Sequence, residues 1–138
     1  MRSFAVSCAA ALLAATAVAQ TATLPPEQRA GDVAFVTGGV SDDEAAVFKS
    51  AMGNYPLAIE VVQSNAGRGL YTAGATVQVT RRNGEVMLNT RADGPFVLVR
   101  LPPGSYRVDA TFNGRTISKD VSVAQNGSAH AVLSFAGE

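Results

Sequence analysis

The chain has 138 residues, with eleven basic and eleven acidic side chains, one histidine, one cysteine and no net charge at neutral pH. This balance excludes the clustered basic excess with which proteins neutralise nucleic-acid phosphates. A single cysteine excludes an intrachain disulfide framework, so packing must hold the fold together.

Residues 1–19 have the three parts of a secretory signal peptide: Arg2 as a minimal positive region, an apolar stretch from Phe4 to Ala15, and Ala17-Val18-Ala19 as a small-residue cleavage site before Gln20. The run is too short and Ala-rich for a bilayer span, and Ala5-Val6-Ser7 is a poor approach to a lipid-modified Cys8. The expectation is a cleaved signal and a periplasmic or secreted chain that is not membrane-embedded. Cleavage removes 19 of 138 residues and leaves 119, enough for one core. Cys8 and Arg2 leave with the signal, so the mature chain has no cysteine and a net charge of minus one.

Residues 20–32 are polar and carry Pro25-Pro26, the composition of a flexible leader. Val33 to Val36 reads as a short strand, ended by the Gly38-Gly39 turn. At Ser41-Asp42-Asp43-Glu44 a capping box starts a helix: Ser41 receives the N–H of Glu44, and the Glu44 carboxylate is expected to reach back to the Ser41 N–H. The adjacent acids suit the helix dipole better than a metal, for no ligand-spaced loop follows them. Val47, Phe48, Ala51 and Met52 make the expected apolar stripe, and Gly53-Asn54 with Pro56 ends the helix. Residues 33–56 are thus read as a strand and helix packing on the sandwich.

From residue 57 to the end at 138 the period is two. Leu57, Ile59 and Val61 alternate with polar or small neighbours, as do Ala75, Val77 and Val79. Turn signals recur at Asn83-Gly84, Asp93-Gly94, Pro103-Gly104, Asn113-Gly114 and Asn126-Gly127, the rhythm of consecutive antiparallel strands. Phe96 to Leu101 is apolar on both alternation sets and therefore needs a cover on each face; the helix stripe is the matching surface. Leu101-Pro102-Pro103-Gly104-Ser105-Tyr106 has the spacing of a tyrosine corner, whose phenol donates to a carbonyl a few residues upstream. The strands led by Tyr106, Ile117 and Ala129 follow. The prediction is an all-β, Greek-key β-sandwich of about seven strands, transthyretin-like or Ig-like, with one short N-terminal helix.

Asp93-Gly94-Pro95-Phe96, the Leu101 to Tyr106 corner, Gly114 and the valine strand after it resemble the carboxypeptidase regulatory-like domain, a transthyretin-like sandwich. Gly38-Gly39-Val40-Ser41-Asp42-Asp43-Glu44 and the helix ending near Tyr55 are similar to small exported proteobacterial proteins that carry this domain alone. The resemblance spans roughly residues 33 to 135. It implies a non-catalytic accessory role and leaves the ligand open, since such sandwiches host many functions.

The residues agree with that expectation. A transthyretin-like hydroxyisourate hydrolase has several histidines and a terminal Tyr-Arg-Gly-Ser motif, whereas this chain has His130 alone and ends Ser134-Phe135-Ala136-Gly137-Glu138. One histidine cannot complete a three-ligand zinc site, and no Gly-x-Ser-x-Gly elbow is present. By alternation, His130 is a solvated strand residue. No catalytic, cofactor-binding or metal residue is therefore expected. Arg91, Arg100, Arg107, Tyr55, Tyr71 and the Arg81-Arg82 pair are the side chains suited to grip carboxylates or sugars, but solvated faces, core packing and an exposed hairpin tip are their commoner fates, so no binding residue is assigned. The expected function is a binding or accessory module for a protein or carbohydrate partner. A small periplasmic hydrolase is the alternative.

Overall fold

The computed structural model describes residues 23–65, 68–71 and 74–136. The expected signal peptide over 1–19 lies outside them. Among the described residues, two sheets and one α-helix form an all-β sandwich. The six-stranded sheet contains β1 (Gln28–Ala30), β2 (Val33–Gly38), β7 (Phe96–Val99), β3 (Leu57–Asn65) and β10 (Ala129–Ala136) in that spatial order, with β4 (Arg68–Tyr71) also on β3. The four-stranded sheet runs β6 (Val86–Arg91), β5 (Thr76–Arg81), β8 (Gly104–Phe112), β9 (Arg115–Val123).

Alternation sets the core. Leu57, Ile59 and Val61 of β3, Val97 and Val99 of β7, and Ala131, Leu133 and Phe135 of β10 face Val77 and Val79 of β5 and Tyr106, Val108 and Ala110 of β8 in one buried cluster. The chain changes sheet at β4–β5, β6–β7, β7–β8 and β9–β10, so β8 returns beside β5 in the manner of a Greek key. Asn113 and Gly114, both at positive φ (52° and 77°), form the tight turn that sets Phe112 opposite Arg115.

The helix α1 (Asp42–Ala51) lies on the outer face of the six-stranded sheet. The two apolar sets of β7 part as their chemistry requires. Val97 and Val99 enter the sandwich core, whereas Phe96 and Leu98 join Val36, Ala58, Ala45, Phe48, Ala51 and Tyr55 in a second cluster under the helix. Phe48 stacks on Phe96 with ring centroids 5.6 Å apart. The buried stripe begins at Ala45 rather than Val47, which is half-buried, as is Met52. A methyl side chain at Ala45 lets the first turn approach the sheet closely.

Several sequence expectations are corrected. Ser41 Oγ accepts from the Glu44 N–H (3.2 Å), but the Glu44 carboxylate accepts from the Gly39 N–H (2.5 Å) rather than from Ser41. The turn at Gly38-Gly39 brings that donor within reach. The flexible leader over 20–32 is tied down where it is described: Gln28–Ala30 pair with Val33–Phe35, and Leu24 packs on the helix cluster. Among the described residues the two sheets hold ten strands against the expected seven: the short strand read at Val33 to Val36 adds β2, and β1 and β4 are added because three or four residues carry too little alternation to read. Finally, β10 pairs with β3 in parallel, Ala129 opposite Leu57, because β9 crosses sheets at the end of the sandwich where β3 begins.

Candidate functional site

Four connections converge at the end of the sandwich where β3 and β8 start: the 3-10 turn Met52–Asn54 with Tyr55 and Pro56, the 82–85 turn, the corner after β7, and the 124–128 turn. The corner is fixed by the Tyr106 phenol, which is buried and donates to the Pro102 carbonyl at 2.5 Å, as its spacing predicts. The Ser128 hydroxyl donates to the Met52 carbonyl (3.0 Å), and the Ala129 N–H to that of Pro56 (2.8 Å), so the turn before β10 is tied to the helix exit.

Between these connections lies a cleft of about 390 Å³ lined by Asn54, Tyr55, Pro56, Arg100, Leu101, Pro103 and the 124–127 turn. Pro103 also borders a second cleft of about 380 Å³ with Arg81, Arg82, Asn83, Ser105 and Tyr106. The walls are stiff where proline and the corner bond hold them, and the exposed amides of Asn54, Gln125 and Asn126 offer both donors and acceptors.

Arg100 gives the first cleft its charge. Its guanidinium lies 4.4 Å from the centre of the Tyr55 ring, and its Nε donates to the Glu27 carboxylate at 3.0 and 3.4 Å. The Tyr55 hydroxyl donates to the same carboxylate at 3.1 Å. The bond from Arg100 holds the Glu27 carboxyl below the usual carboxylate range, and Glu27 in turn raises the Arg100 guanidinium. Burial, with help from Glu27, pushes the Tyr55 phenol up. A cation laid on an aromatic face beside a phenol donor suits an anionic or hydroxylated ligand.

The structure brings together two of the candidate side chains, Tyr55 and Arg100. Arg81 and Arg82 flank the second cleft, with Arg81 3.7 Å from Glu85. Arg107 is exposed and donates to Asp109 at 3.2 Å, and Arg91 is exposed at the far end of β6. The Tyr71 side chain lies outside the described set. His130 is exposed, 3.4 Å from Glu60, while Ala131 and Leu133 turn inward. Glu27 was not singled out by sequence reasoning. A polar leader gives no periodic signal, and its partners stand 28 and 73 positions away.

Among the described residues there is no group of three or more His, Cys, Asp or Glu side chains placed to hold a metal, and no helix long and apolar enough to cross a membrane. No protein-family model matches the chain, and no curated protein does.

Proposed function

We propose that this protein is a non-catalytic binding or accessory module, exported by residues 1–19, that holds a protein or carbohydrate partner at the corner end of its sandwich. The observation that carries the reading is the Tyr55–Arg100 platform beside a stiff-walled cleft with amide side chains on its rim. Ligand sites combine such fixed apolar walls with a few placed polar groups. The resemblance of residues 33 to 135 to the carboxypeptidase regulatory-like domain points the same way.

The test is capture from a cell-envelope extract on the immobilised mature chain, with bound material identified by mass spectrometry. Gln125→Lys with Asn54→Lys at the cleft rim is expected to abolish retention, and Thr116→Lys on the four-stranded sheet to leave it intact. The opposite pattern overturns the placement of the site. Cleavage of the retained material by the mature chain overturns the non-catalytic reading. Intact mass of the exported protein checks the processing, and a chain starting at Gln20 is the expected result.

A further inference from the structure

The leader runs beside the first cleft, where Glu27 meets two of its lining residues, Tyr55 and Arg100, and it is held at two points. On one side Leu24 packs on the helix cluster, and on the other Gln28–Ala30 pair with β2. Between them Glu27 presents its carboxylate to Arg100 Nε and the Tyr55 hydroxyl. Both receiving groups belong to the folded body. Tyr55 is buried in the helix cluster, and the backbone of Arg100 is fixed by its N–H to the Ala34 carbonyl at 2.9 Å. Tyr55 and the Arg100 backbone are thus fixed in the body, and the carboxylate comes from the leader.

We infer that Tyr55 and Arg100 form a carboxylate-binding site for a glutamate carried on an extended peptide of a partner protein, and that Glu27 occupies this site in cis. The inference rests on the binding-module reading and names its ligand class. A guanidinium stacked on an aromatic ring with a phenol donor alongside recognises a carboxylate by charge and direction together. The occupant also indicates the source: it is a peptide glutamate, set in an extended frame by Pro25-Pro26, and the adjoining cleft of about 390 Å³ has room for flanking residues. Exchange is feasible because the pair is open to water, with side-chain exposures of 49% for Arg100 and 38% for Glu27. An exposed ion pair is weak, so a second carboxylate can replace the first at little cost. A partner peptide then competes with the tethered glutamate, and its apparent affinity is reduced by the fraction of time that Glu27 is bound.

The experiment titrates the full mature chain with a synthetic peptide of residues 24–28, or the same peptide carrying Glu27→Gln, and follows the backbone amide resonances of Tyr55 and residue 100 by NMR. Wild-type protein should bind the glutamate peptide weakly. Protein carrying Glu27→Gln should bind it about threefold tighter or more, with affinity falling as salt rises. The glutamine peptide should not saturate the signal. Adding Arg100→Lys to the Glu27→Gln protein keeps the charge but not the Nε geometry, and should remove the preference for the glutamate peptide. Thermal melts confirm that each variant is folded. If folded Glu27→Gln protein shows no saturable response at Arg100, the ion pair only fastens the leader and the inference fails. Equal saturation by sodium glucuronate overturns the peptide assignment in favour of an acidic sugar. Loss of extract capture in the rim variants, with no gain in the Glu27→Gln protein, would sink this inference while leaving the binding module standing.

Discussion

On the outside of the six-stranded sheet, Val36, Ala58, Phe96 and Leu98 are buried beneath α1; on the outside of the four-stranded sheet, Thr76, Thr116, Ser118, Asp120 and Ser122 stay exposed. Both faces are pleated ladders of similar regularity, so backbone geometry does not decide which one is covered. Side-chain chemistry does. The apolar face gains from removal from water, at roughly 25 cal/mol per Å². The polar face satisfies itself: the Thr111 and Thr116 hydroxyls are 2.8 Å apart, and Asp109 accepts from Ser118 and from Arg107. A helix over that second sheet would have to displace well-hydrated groups for no apolar return.

The contrast can be broken most directly under the helix. Phe48→Ala removes a fully buried ring stacked on Phe96, and chemical denaturation should show a loss of about 3–5 kcal/mol. A loss below about 1 kcal/mol would mean that the helix is an ornament and the outer face tolerates water. Gly94→Ala probes the backbone contact at the rim of the same face. The added methyl would fall 2.3 Å from the Gly38 carbonyl oxygen, so a cost of about 1–3 kcal/mol is expected from the same measurement.

Tyr106→Phe tests the corner that joins the two sheets. It removes one net hydrogen bond, worth about 1 kcal/mol, and should leave partner retention unchanged. An unshifted denaturation midpoint would show that the bond to Pro102 does not hold the corner.

A smaller effect concerns the leader, which belongs to the covered side through Leu24. Arg100 depresses the Glu27 carboxyl in the folded state, so the pair contributes its full stabilisation above the ordinary carboxylate range. That contribution is lost as pH falls below that range and through the lower folded value. The protection of the Gln28–Ala30 amides, taken relative to the intrinsic exchange rate at each pH, should therefore fall on acidification in wild-type protein, and Glu27→Gln should remove this fall. The effect should be smaller than that of Tyr106→Phe, because the pair is open to solvent. Least of all, Thr116→Val on the bare sheet should change stability by no more than about 0.5 kcal/mol. A larger loss would reveal that the hydroxyl ladder carries stability and that the two faces are less different than their burial implies.

Local pattern by itself determined a large part of this molecule. Ser41 and the three acids after it start a helix, Asn113-Gly114 demands a tight hairpin, Tyr106 four residues after Pro102 makes a corner, and the doubly apolar run from Phe96 calls for a cover on each face. Each involves residues close in sequence, where dihedral preferences and the period of the side chains act directly. Tertiary structure alone decided what joins distant segments: the parallel pairing of β10 with β3, and the meeting of Glu27, Tyr55 and Arg100. A hydrogen bond or ion pair between distant residues leaves no periodic trace in the chain. Its partners are chosen by where the completed sheets set down their loops.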